Sequence, residues 1–166
     1  QVLQTLPEKE WANGLFEILK MGLIYDSSIW IQAKKDKKDP SLICKAIESK
    51  IAIVQQDPLD RSIRSILNFG HTIGHAIEAV SNYTLSHGLS IALGCVVESH
   101  LSKNLGFLSS SDFEEILHFY SFYPLKLPSS YSRKTLLEKM ALDKKTKENT
   151  FRFILLEKIG KTLYKK

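Results

Sequence analysis

The chain is 166 residues long, 43% hydrophobic and 25% charged, the make-up of an ordinary soluble globular protein able to bury a sizeable core in one domain. No run approaches the roughly 18 consecutive apolar residues of a membrane-spanning helix, and the N-terminus lacks the basic-then-apolar order of a signal peptide. Much of the net charge of +5 comes from residues 34–38, 144–147 and 161–166; with no basic stripe interleaved with aromatics and no reader motif, nucleic acid is not the expected partner, and a small anionic ligand suits the charge better.

Apolar residues recur with helical spacing almost throughout, so the expected fold is mainly α: a single multi-helix domain over 1–166 with a short C-terminal β-hairpin. Pro7 followed by Glu8 and Glu10 suits a helix start, where the helix dipole favours carboxylates, and this helix is expected to reach about Tyr25. Asp39, Pro40 and Ser41 mark a loop, and Pro40 can open a second helix over about 41–55. Asp57 and Pro58 break the chain again before a helix that runs to about Val80. After a short loop at 81–86, His87 and Gly88 lead into a helix from about Ser90 to Asn104, ended by Gly106. Residues 110–112 cap a further helix to about Phe119, Pro124 and Pro128 make an irregular stretch, and residues 133–142 form a short helix. Residues 150–157 are rich in β-formers, and Ile159, Gly160 and Lys161 turn the chain into Thr162, Leu163 and Tyr164 as a two-stranded hairpin. Cys44 and Cys95 lie far apart in helical patterns, which argues against a disulfide and for a reducing, cytoplasmic location. No internal repeat occurs, and no Gly-rich strand–turn–helix fingerprint for a nucleotide.

Residues 64–78, RSILNFGHTIGHAIE, concentrate the chemistry. At about 100° per residue, Asp60, Arg64, Asn68, His71, His75 and Glu78 share an arc of roughly 80° on one helix face, with Ile66, Ile73 and Ile77 opposite. His71 and His75, four apart, could meet one metal ion, with His87 just beyond the next loop as a third ligand; paired histidines also often only cap or hydrogen-bond. His100 and His118 read as surface residues. Arg64 suits a phosphate or carboxylate and Asn68 a sugar-like hydroxyl, while an Arg64–Asp60 surface ion pair is the competing reading. Gly70 and Gly74 read as a packing notch where another backbone comes close. Glu17, with Glu10, Asn13 and Lys20, looks like part of a solvated helix face, and Lys50 is equally anonymous.

The string LNFGHTIGHAIE, preceded by Arg64 and followed by His87 and Gly88, closely resembles the signature of the 3-dehydroquinate synthase family. The likeness extends back through LPEKEWANGLFEILKMGLIYD at 6–26 and forward to Asp143, Lys144, Lys145 and the terminal FRFILLEKIGK, covering nearly the whole chain in order. It implies an α-helical metal domain in which Glu17, His71 and His87 bind a divalent metal, zinc or cobalt, and His75 moves protons instead of ligating. It further implies that Lys50, Arg64, Asn68 and one of Lys144 and Lys145 contact an anionic sugar phosphate, 3-deoxy-D-arabino-heptulosonate 7-phosphate, with Lys20 near the metal helix. Asp60 stands where the family has a glutamate that acts as an acid–base or orienting carboxylate. In that family NAD+ transiently oxidises a substrate hydroxyl, phosphate is eliminated, the ketone is reduced again, and the ring opens and recloses.

Departures from the pattern cluster near the cleft. Asp60 is one methylene shorter than the usual glutamate, Pro58 and Ser62 replace an acidic residue and a glycine, and Phe16 replaces a small residue, so the loop before the helix is expected to be reshaped. Family members are about twice as long, in keeping with two domains of ordinary size; the chain is therefore expected to be the metal domain without the α/β domain that binds NAD, inactive alone, and part of a homodimer when full length. The alternatives are a related sugar-phosphate cyclase, a metal-dependent polyol dehydrogenase, or a non-catalytic helical module.

Overall fold

Helix α1 (Glu8–Ile24) starts directly behind Pro7, and from Leu15 onward most of its residues are buried. In this computed structural model, which describes residues 2–123, 131–143 and 151–163, α1 is packed on by α2 (Ser27–Lys35), α3 (Ser41–Gln56) and α5 (His87–Asn104), and by a hairpin of β1 (Leu156–Lys158) and β2 (Lys161–Thr162). Leu15, Leu19 and Leu23 meet Trp30, Ile53, Ile66, Phe69, Ile91 and Ile116 in one core. Phe16 finds room beside Tyr120 and Tyr123, with ring centroids 6.0 and 4.9 Å away, so its bulk goes into an aromatic cluster rather than the cleft. A smaller core joins Ile73, Ala76 and Ile77 of α4 (His71–Val80) to Met140 of α7 (Arg133–Asp143).

Helix α2 has no counterpart among the expected elements. Asp26 caps it by accepting from Ser28 N–H at 2.9 Å, and Ile29, Trp30 and Ala33 bury one short stripe. In the lysine run at its end, Lys34 and Lys38 form exposed ion pairs with Glu115 and Glu8, and the Lys37 ammonium lies over the Phe119, Phe122 and Tyr123 rings at 4.9–5.3 Å. Helix α5 starts at His87, three residues earlier than expected. Helix α6 (Ser110–Ser121) takes Ser109 as its cap, accepting from Asp112 N–H at 3.0 Å. The hairpin turns at Gly160 as expected, with Leu156 opposite Thr162 and Lys158 opposite Lys161, but the earlier part of the expected strand does not pair; Phe153 and Ile154 pack on the cores instead of extending the ladder. Pro124, Pro128 and Tyr164 lie outside the described residues.

The helix expected to run unbroken to Val80 is two pieces. Residues Ile63–Asn68 form a tight 3-10 turn, and Gly70, at φ +77°, then redirects the chain into α4. The buried Glu98 carboxylate accepts from Gly70 N–H at 3.0 Å and fixes that bend from α5. The notch at Gly70 and Gly74 is real: a methyl on Gly74 would stand 2.7 Å from Ile91 Cδ1 and 3.1 Å from Ser90 O, and one on Gly70 would strike Cys95.

Candidate metal and substrate site

The starts of two helices meet the middle of a third at the site because glycines let backbones touch. A methyl on Gly88 would overlap the Asn13 backbone, and one on Gly94 would overlap the Gly70 carbonyl. Helix α5 is therefore pressed against both α1 and the start of α4. This brings His87, at its first turn, and His71, at the first turn of α4, to Glu17 on α1.

One ligand atom from each of Glu17, His71 and His87 lies within 4.8 Å of the others. Glu17 Oε1 is 3.7 Å from His71 Nε2 and 3.5 Å from His87 Nε2, and it is buried without a hydrogen-bond partner. The other carboxylate oxygen is held at 2.8 Å by the Nζ of Lys20, a residue only 4% exposed. Burial is the strongest single influence and would raise the Glu17 pKa, but the Lys20 charge and hydrogen bond, together with His71 and His87, outweigh it and hold the carboxyl below its ordinary value. His71 moves the opposite way from a salt-bridged histidine: burial first, then the Lys20 charge, push it down to about 4.

The protons of His71 follow. Its Nδ1 is 3.1 Å from the Phe69 carbonyl, which can only accept, so Nδ1 carries the hydrogen and Nε2 of this neutral ring is a lone pair. A lone pair thus faces a partnerless carboxylate oxygen, an arrangement that repels unless a cation stands between them. One carboxylate and two imidazoles are a zinc-type donor set, and ligands about 2.0–2.1 Å from a tetrahedral ion stand roughly 3.3 Å apart, close to the spacings here. The residues fit a divalent metal.

The triad opens into a cleft of about 620 Å³ lined also by Lys50, Asp60, Arg64 and Asn68. Asp57 shapes the far wall. Its carboxylate accepts from the N–H groups of Arg61 (3.0 Å), Ser62 (2.7 Å) and Arg64 (3.1 Å), and these bonds hold it below the ordinary carboxylate range. Asp60 sits in the left-handed region at φ +55°, which aspartate tolerates better than most residues. Arg64 donates from Nη1 to the Pro58 carbonyl at 3.2 Å, and among the described residues it makes no ion pair with Asp60.

Residues 14–146 match the family described as 3-dehydroquinate synthase C-terminal. The chain belongs to that family. It is 39% identical over 171 residues to the 3-dehydroquinate synthase of Thermodesulfovibrio yellowstonii, covering 96% of this chain and 48% of the relative. With the enzyme of Corynebacterium jeikeium it shares 40% identity, covering 97% of this chain and 46% of that one. The chain thus spans about half the length of the curated relatives it matches. Two solved structures share the fold: 2-epi-5-epi-valiolone synthase of Streptomyces hygroscopicus, with NAD+ and Zn2+ bound (TM-score 0.80, 20% identity, 98% of this chain and 48% of that one), and 2-deoxy-scyllo-inosose synthase complexed with carbaglucose-6-phosphate, NAD+ and Co2+ (TM-score 0.79, 18% identity, 97% and 48%).

Of the residues singled out in the sequence of this family member, Glu17, His71, His87, Lys50, Asp60, Arg64 and Asn68 line one cleft. His75 is exposed beside it, with its ring centroid 5.2 Å from that of His71, and it is not in the Glu17 set. The two-histidine HxxxH ligand pair is therefore not the arrangement seen. Lys144 and Lys145 lie outside the described residues. The solvated-face reading of Glu17 and Lys20 is corrected: α3, the 3-10 turn and α5 pack over that side of α1. Sequence reasoning also passed over Asp57 as a mere break and left Glu78 without a role; the clue for Asp57 was an acidic residue followed closely by backbone needing acceptors.

Proposed function

We propose that this chain is the metal- and substrate-binding half of a 3-dehydroquinate synthase, converting 3-deoxy-D-arabino-heptulosonate 7-phosphate to 3-dehydroquinate and phosphate. A nicotinamide-binding α/β half completes the site with NAD+. What carries this reading is the meeting, in one cleft, of a lone-pair-lined carboxylate–imidazole triad with Lys50, Arg64 and Asn68. The relatives' names and the cofactors of the solved neighbours support it, as do two free cysteines for a cytoplasmic setting. Among the described residues no helix is long and apolar enough to cross a membrane.

Glu17, His71 and His87 hold zinc or cobalt; when bound, such an ion polarises substrate oxygens as a Lewis acid and lowers the pKa of a coordinated hydroxyl. Lys20 keeps the Glu17 carboxyl ionised and turned. Arg64 and Lys50 take the substrate's anionic groups, Arg64 through its planar fork, and Asn68 reads a hydroxyl. His75, exposed at the rim, passes a proton to or from the substrate, and Asp60 orients or accepts a proton. Holding these groups on packed helix backbones supplies orientation, which can carry much of the rate.

The test joins this chain to a nicotinamide-binding half and follows phosphate release. Release from heptulosonate phosphate and none from sedoheptulose 7-phosphate is expected; the reverse preference overturns the reading in favour of another cyclase. In the same assay Asp57→Ala is expected to lower kcat/KM by roughly tenfold to a hundredfold, because a displaced Arg64 misplaces the substrate. Zinc affinity should not change, since Asp57 touches no triad residue. Equal loss of zinc would show instead that the whole domain had loosened.

A further inference from the structure

His87 belongs to two possible ligand sets. With Glu17 and His71 it forms the triad above, but His75, Glu78 and His87 also bring one ligand atom each within 4.8 Å of one another. What separates the two is a single contact: Glu78 Oε1 stands 3.2 Å from His87 Nδ1. An ionised carboxylate only accepts, so the contact requires the hydrogen on Nδ1 and, in the neutral ring, leaves Nε2 as the lone pair facing Glu17 Oε1 at 3.5 Å. The same hydrogen bond removes Nδ1 from the competing set.

The burial of the two partners is unequal. The His87 side chain is 51% exposed, while that of Glu78 is 15% exposed, so the ring depends on the carboxylate for its orientation and not the reverse. His71 needs no such help, its side chain being only 18% exposed and tied to the Phe69 carbonyl. Nor does α4 gain from Glu78: a carboxylate in the last turn of a helix opposes the dipole.

We infer that Glu78 is a positioning residue for the metal site, holding His87 in the Nδ1–H tautomer with Nε2 turned toward Glu17 and His71. The inference rests on the metal reading proposed above. Carboxylate–histidine–metal pairs of this kind also raise the basicity of the ligating nitrogen.

Zinc affinity of the 166-residue chain, measured by competition with a chromophoric chelator, tests it. Glu78→Ala is expected to weaken zinc binding by roughly 10- to 100-fold. Glu78→Gln, whose amide oxygen still accepts from Nδ1, is expected to recover part of the loss. In a background of His87→Ala, Glu78→Ala should cost nothing more, because Glu78 acts only through that ring. Nitrogen NMR of the zinc-free chain should show the His87 hydrogen on Nδ1 and its redistribution in Glu78→Ala. Affinity of Glu78→Ala within about twofold of the parent would overturn the inference, as would a further tenfold loss in the His87→Ala background, which would make Glu78 itself a ligand. If His71→Ala keeps the parent's affinity, the metal reading falls; if only Glu78→Ala does, that reading stands and the positioning role alone is wrong. Should Glu78→Ala fold poorly, the near-isosteric Glu78→Gln decides by its NMR tautomer.

Discussion

His71→Ala is expected to weaken zinc binding by roughly 100-fold or more, since losing a first ligand exceeds the 10- to 100-fold cost of losing a residue behind one. The ring is neutral at physiological pH, its Nδ1 is fixed by the Phe69 carbonyl, and its Nε2 faces Glu17 Oε1. With the proton leaving at about pH 4, no proton competes for Nε2 near neutrality, so the loss measures the ligand itself. His75→Ala, four residues on, is expected to change zinc affinity by less than about threefold, because one ion held by Glu17, His71 and His87 leaves that imidazole outside. Chelator competition on both variants separates the two histidines. Equal losses would restore the HxxxH pair as the ligands and remove Glu17 from the site.

The contrast between those histidines was only partly legible in the sequence. Periodicity gathered Asp60, Arg64, Asn68, His71 and His75 on one face because it assumed 100° per residue through Gly70. The chain instead winds as a 3-10 turn over Ile63–Asn68, advancing about 120° per residue, and restarts after a left-handed glycine. Asp60, Arg64, Asn68 and His71 still share a wall because Asp57 and Glu98 anchor the two sides of the bend, and neither anchor carries a periodic signal. Glu17 and Lys20 were illegible for a related reason: a helix pattern shows which residues share a face, not which other elements cover it. Helix α2 hid behind its shortness, with three buried positions running into a lysine-rich stretch. By contrast Pro7, Pro40 and Gly106 marked their helix ends well, since each acts on its own backbone and needs no tertiary partner. The ligand roles themselves came from resemblance to a family and not from spacing.

Gly94→Ala is expected to be the most damaging single methyl in the chain. Its Cβ would overlap the carbonyl oxygen of Gly70, which cannot swing aside as a side-chain tip would: Glu98 holds the Gly70 N–H, and Gly70 O accepts from Gly74 N–H at 2.8 Å. Relief requires α5 to lift away from α4, opening the contact at Gly74 and Ile91 with it. A loss of at least about 3–5 kcal/mol is expected, a large part of the roughly 5–15 kcal/mol that holds a domain together. Gly14→Ala should do the opposite. Its Cβ meets nothing within 4 Å on the exposed side of α1, so the better helix former is expected to stabilise by up to about 1 kcal/mol. Urea unfolding of the two variants reads both signs at once. A Gly94→Ala midpoint near the parent's would mean that α4 and α5 are not pressed together as described. The contact that carries His71 and His87 to Glu17 would then need another cause.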